Sequence, residues 1–243
     1  MYNSKIYPSV LVETVIYIIT SSRGLLRSCK IKDIECLSKS TEQFLEKTCK
    51  GIPEADIRAI DPLVIPALEY TAPDIGGVSL HFKNINISGL KNQMISDFQM
   101  DKDKKSVVLK LNVALNIVSD LDVKLSGISK TLSGTYKAKA TTLATANYNY
   151  DLKNNDKGVR YFEVLPETIT CSIVGEPEAS LNDELVQALQ RLLHTDFKAL
   201  VEKRDECKEK TICKIVQKAY ETVIHNIRAA AKFLPAEDFF QDI

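Results

Sequence analysis

The chain has 243 residues, with 32 Lys plus Arg balanced by 32 Asp plus Glu, no Trp and only 9 Gly. A net charge of zero argues against nucleic acid, whose binding rests on excess cationic side chains neutralising phosphates, and scarce Gly argues against a glycine-rich phosphate cradle. With 44% hydrophobic and 26% charged residues, the composition is that of an ordinary globular protein long enough to bury roughly 70% of its unfolded surface.

In chain order, the first 24 residues read as a secretory signal. Lys5 supplies one positive charge, Val10 to Ile19 is mostly apolar although Glu13 interrupts it, and Ser22 and Gly24 are small residues suited to cleavage after Gly24. A buried N-terminal helix is the alternative. The run is too short to span a bilayer, which takes about 20 apolar residues. On this reading residues 25–243 form the mature, secreted chain, with no stable membrane association. Six cysteines, Cys29, Cys36, Cys49, Cys171, Cys207 and Cys213, suit an oxidising compartment. They allow 15 pairings on paper. Their spacings are too wide for structural zinc, which favours pairs about two to four residues apart, so no metal is expected.

Asp33 is a candidate N-cap for an amphipathic helix carrying Ile34, Leu37, Thr41, Phe44, Leu45 and Thr48 on one face, closed by Gly51-Ile52-Pro53. Pro53, Pro62, Pro66 and Pro73 predict an extended, irregular connector. From Val78 to about Val174 the period becomes two, as in Val107, Leu109, Leu111, Val113, Leu115 and Ile117. This predicts an antiparallel meander with one apolar and one polar face, and Asp156-Lys157-Gly158 marks a hairpin tip. Helical period returns at Leu181–Leu193 and again from about Arg204 to Leu234, where a broad apolar stripe runs some 45 Å. A one-faced sheet and a broadly apolar helix bury each other if the sheet curls around the helix. The prediction is one α+β domain, with ligand space where sheet and helix fail to meet near the ends of the wrap.

Catalytic patterns are lacking. The sequence holds no Gly-x-Ser-x-Gly elbow, Walker loop or His-Glu-x-x-His site. His81, His194 and His225 are read as structural, and the pairs Asp101/Asp103 and Glu237/Asp238 as solvated. The run Lys203 to Lys210 mixes both signs and reads as a solvated helix face. Asn86-Ile87-Ser88 is a glycosylation sequon. Tyr148 and Tyr150 share one strand face. Each offers an apolar ring and a hydroxyl that wants a partner when buried, and on the residues alone core packing is the commoner role for both.

Longer patterns carry a resemblance. Cys29 and Cys36, Gly51-Ile52-Pro53 and Asp61-Pro62-Leu63 are similar to the opening of the takeout and juvenile hormone-binding proteins. Phe82 to Leu90, Ile95 to Met100, Phe162-Glu163-Val164 and His225 to Ala229 resemble the moth hemolymph members more closely. The resemblance covers about Leu25 to Ile243 and is loose from Leu193 to Lys210. It implies a long C-terminal helix wrapped by a highly curved antiparallel sheet, with an N-terminal gate helix roofing a hydrophobic pocket. It implies disulfides Cys29–Cys36 and Cys171–Cys213, an epoxide-binding Tyr148, and pocket positions Phe162, Phe239 and Phe240, with Leu37 and Phe44 contributed by the gate. Cys49 and Cys207 have no counterpart and could form a third bridge, stay free or pair between chains. The function so implied is an extracellular, monomeric, non-enzymatic carrier of juvenile hormone in hemolymph, without cofactor. A takeout-like carrier of another terpenoid or a fatty acid is the alternative.

Overall fold

The computed structural model describes residues 26–72, 78–193 and 204–243; the expected signal segment and His194 lie outside them. Helix α1 (Ile34–Thr48) starts where the Asp33 carboxylate accepts the Cys36 N–H at 3.0 Å, so one orphan donor of its first turn is satisfied. Six antiparallel strands follow: β1 (Leu63–Ala72), β2 (Val78–Ser88), β3 (Met94–Asp101), β4 (Ser106–Leu125), β5 (Leu132–Asn154) and β6 (Arg160–Leu181). They form one sheet in the order β1-β2-β4-β5-β6, and β3 pairs with the first half of β4 beyond the end of β2. Helix α2 (Asp183–Leu193), the long helix α3 (Arg204–Ala230) and the short α4 (Ala236–Phe239) complete the chain. No described helix is long and apolar enough to cross a membrane.

The connector expected at the four prolines is corrected by the structure, because β1 lies within it. Pro66 is tolerated since β1 is an edge strand and Pro66 takes no place in the register, which steps from Ile65–Ile85 to Ala67–Lys83. The second helix begins at Asp183, with Leu181 still in β6, and the long helix ends at Ala230, four residues short of Leu234.

Alternation decides what the sheet encloses. On β4 every second residue from Val107 to Leu125 is buried, and on β5 the inward row includes the small residues Ala138, Ala140, Thr142, Ala144 and Ala146. Small side chains on a concave face let the backbone approach a central helix closely. Ile212, Ile215, Val216, Ala219, Tyr220 and Ile224 of α3 are fully enclosed, which explains the broad stripe. The helix packs on β6, β5 and β1.

The β5–β6 ladder slips twice, and one of the slips lies between the pairs Tyr150–Val164 and Tyr148–Glu167. Burial changes parity there, from Phe162 and Val164 to Ile169, Cys171 and Ile173, as an inserted residue requires. Arg228 fills the gap. It donates to the Val164 carbonyl at 2.9 Å, the Leu165 carbonyl at 3.2 Å and the Glu167 carboxylate at 2.5 Å. Its neighbour Asn226 exchanges two 2.8 Å hydrogen bonds with the backbone of Arg58. The C-terminal end of α3 is thus fixed to β6 on one side and to the segment after α1 on the other.

Two disulfides are present, Cys29–Cys36 with Cα atoms 5.8 Å apart and Cys171–Cys213 at 5.3 Å. The third bridge entertained between Cys49 and Cys207 is not formed. Cys49 is a buried free thiol whose carbonyl accepts the Ile60 N–H, close to where Arg58 meets Asn226. Cys207 lies about five turns before Asn226 on α3, roughly 28 Å along the axis. A disulfide needs Cα atoms within about 7 Å.

Asn86 is exposed on the outer face of β2, opposite Val64 and Val118, two of the large apolar side chains left exposed. Secretion from an insect cell line should yield a band that shifts on peptide N-glycosidase treatment and no longer shifts in Asn86→Gln. A wild-type band that never shifts would remove Asn86 as a glycan site.

Candidate ligand cavity beneath helix α1

A cavity of about 160 Å³ opens at the end of the wrap where α1, β3, β4, β5, the C-terminal end of α3 and the chain terminus converge. Each element contributes an apolar row. Helix α1 supplies Leu37, Phe44 and Leu45, β3 supplies Ile95, Phe98 and Met100, and β4 supplies Val107, Leu109 and Leu111. Val223, Ile227, Ala230 and Ala231 close the α3 side.

Aromatic rings form one wall. Phe162 meets Tyr150 at 5.3 Å, Phe240 at 5.8 Å and Phe239 at 5.9 Å between centroids, all edge to face, and Phe98 stacks on Phe240 at 5.4 Å. Such pairs fix ring orientation as well as bury area. Phe239 and Phe240 reach this wall because the terminus is tied back to the N-terminal segment. Cys29 and Phe240 form a parallel bridge, the Gln241 N–H donates to the Cys29 carbonyl at 2.9 Å, and the Ile31 N–H donates to Asp242 Oδ1 at 2.9 Å. Arg160 adds hydrogen bonds to Glu237 and to the Ile243 carbonyl. The Cys29–Cys36 disulfide joins this assembly to the first turn of α1. The roof of the cavity and the C-terminal wall are therefore one braced unit.

The polar groups in the lining are few: Arg27, Ser40, Thr41, Gln93, Tyr148, Tyr150 and Asn226. Two of them are already engaged. Ser40 Oγ bonds both backbone groups of Arg27, and Asn226 is committed to Arg58. Tyr148 stands opposite Val107 on β4 and Glu167 on β6. Desolvation raises its pKa well above the ordinary tyrosine value, so its hydroxyl stays protonated and remains a donor. Tyr150 is raised as well, again chiefly by desolvation.

All six positions anticipated as ligand contacts, Leu37, Phe44, Tyr148, Phe162, Phe239 and Phe240, line this one cavity. The sequence reading missed the β3 row, the β4 row as lining, and Gln93. Alternation marked Val107, Leu109 and Leu111 as inward but could not say whether inward meant packed core or cavity wall. Gln93 sits in a turn with no periodic signal. The two described histidines lie elsewhere: His81 pairs with Glu69 at 3.0 Å, and His225 contacts the Asp56 carbonyl at 3.0 Å.

The family model described as haemolymph juvenile hormone binding protein matches residues 14–233. The chain is 46% identical over 231 residues to the juvenile hormone-binding protein of Manduca sexta, covering 93% of this chain and all of that one. Among solved structures, Takeout 1 of Epiphyas postvittana superposes with a TM-score of 0.68 over 88% of this chain and 99% of its own, at 17% identity. That likeness concerns the fold.

Proposed function

The chain belongs to the haemolymph juvenile hormone binding protein family, and from that membership we propose that it is a secreted, monomeric, non-catalytic carrier that holds juvenile hormone in the cavity beneath α1. The observation that carries the reading is an apolar cavity with a desolvated tyrosine donor, Tyr148, in its wall. Juvenile hormone is a sesquiterpenoid methyl ester with an epoxide at the other end. Its chain suits the apolar rows, and its epoxide oxygen is an acceptor for the Tyr148 hydroxyl. Burying about 300 Å² of ligand apolar surface contributes roughly 7 kcal/mol gross, from which association entropy subtracts. One neutral hydrogen bond adds about 1 kcal/mol and orients the molecule. Enclosure also keeps the ester from hydrolases while the hormone travels in hemolymph.

The test is equilibrium binding of labelled hormone to the oxidised mature chain, with a fatty acid and an epoxide-free analogue as competitors. Saturable binding that both competitors displace poorly is the expected result. Preferential displacement by the fatty acid would move the function to another lipophile on the same fold. Tyr148→Phe keeps the ring and deletes the donor. Its expected effect is about tenfold weaker binding of the epoxide ligand, or ~1.4 kcal/mol, and little change for the epoxide-free analogue. Equal affinity of Tyr148→Phe and wild type for the epoxide ligand removes Tyr148 from this role.

A further inference from the structure

Gln93 is buried to 4% exposure in the cavity wall, and its Oε1 has no hydrogen-bond partner. A side-chain amide left in that state loses the hydration of an acceptor without compensation, which destabilises the empty protein. A buried acceptor without a partner calls for a functional explanation.

Its position is built. The turn Leu90–Asn92 ahead of it is held by the buried Asp61 carboxylate, whose Oδ2 accepts the Gly89 N–H at 3.1 Å and the Lys91 N–H at 3.0 Å. The Gln93 N–H closes that turn on the Leu90 carbonyl at 3.3 Å. Gln93 also lies far from Tyr148. Met94, the next residue, pairs with Asn112 of β4, whereas Tyr148 pairs with Val107. These two levels of β4 are about five steps, or ~17 Å, apart between backbones, and a ligand anchored at both ends needs the two side chains to supply the remaining ~5 Å of reach. An extended chain of about ten bonds spans roughly 12 Å at the per-bond reach of a polypeptide. That is the separation of ester and epoxide in a sesquiterpenoid of this class.

We propose that Gln93 is the second polar anchor of the cavity and that its side-chain amide donates an N–H to the carbonyl oxygen of the ligand's ester. The assignment rests on the hormone reading above and deepens it. An ester offers acceptors alone, so the amide must present nitrogen. A half-turn about its last bond places the NH₂ where the unpartnered oxygen now lies. With Tyr148 at one end and Gln93 at the other, two donors separated by an apolar channel measure both the length of the ligand and its direction.

The test measures dissociation constants of wild type, Gln93→Leu and Gln93→Met for two ligands of one skeleton, the epoxide methyl ester and an epoxide analogue whose ester is replaced by a hydrocarbon end. Thermal melting of each variant confirms that it folds. Both variants should bind the ester about tenfold more weakly than wild type and the ester-free analogue within about twofold of it. Gln93→Met keeps length and volume, so a loss confined to the ester identifies the amide and not the packing. Unchanged binding of both ligands, or an equal loss on both, overturns the assignment. Failure of the wild-type protein to bind the ester at all overturns the hormone reading beneath it, which distinguishes the two failures.

Discussion

Replacing Cys171 and Cys213 together by Ser should lower unfolding stability by about 4 kcal/mol, the value the chain-entropy relation gives for a loop of this size. The two cysteines are 42 residues apart in sequence, and their bond joins the inward face of β6 to helix α3. Without it the unfolded chain regains the freedom of that loop. The native state also has two polar hydroxyls where a half-buried disulfide was. For a chain of this length each kcal/mol corresponds to about 2–4 °C, so the melting temperature should fall by about 10 °C. Differential scanning calorimetry of the double variant against wild type reads the effect. Disulfide removal at Cys29 and Cys36, which closes a loop of seven residues' separation, should cost less, about 2.5 kcal/mol by the same relation. If the short bridge proves the costlier one, loop entropy is not what governs these bonds here.

Gly89→Ala should destabilise the protein by about 3–5 kcal/mol, from backbone strain and steric conflict together. Gly89 has φ 108°, a left-handed conformation that disfavours any Cβ. A Cβ built there would lie 2.3 Å from the Ala114 carbonyl oxygen of β4. Backbone of a central strand cannot yield as the tip of a side chain could. The strain would move the Leu90–Asn92 turn away from Asp61 and carry Gln93 with it, so ligand binding should weaken along with stability. Urea unfolding and hormone binding on the one variant measure both. A stable variant with wild-type affinity would mean that the turn can be displaced without consequence for the cavity wall.

These two sites show what kind of information each level of description holds. The resemblance implied Cys171–Cys213, whereas the residues alone left 15 pairings open. Gly89 and Asp61 both fall inside segments that carry the family likeness, yet neither announces a role in sequence. Asp61 acts on Gly89 and Lys91 across the fold, and the conflict that makes Gly89 indispensable is with a strand some 25 positions away. Strand β1 was obscured for a different reason. Four prolines suppress a strand reading locally, but an edge position makes one of them harmless, and edge status belongs to the assembled sheet.

By itself the sequence determined most of the elements and their faces. Period two from Val78 onward, period 3.6 on α1 and α3, the Asp33 cap and the broad stripe of the long helix follow from local steric and solvation rules that act within a few residues. From those faces a sheet wrapped on a helix follows as a natural solution, because that pairing buries both apolar sides. The tertiary structure decided where that burial is incomplete. The cavity is a place where inward rows do not touch, and a gap between elements leaves no mark on the period of any one of them. Whether Leu109 packs or lines, whether Tyr148 is core or donor, and whether Gln93 matters at all depend on how far apart α1, β3, β4 and the tail carrying Phe239 and Phe240 are held. That spacing is set by contacts between residues as distant as Cys29 and Phe240, so it exists only once the chain has closed on itself.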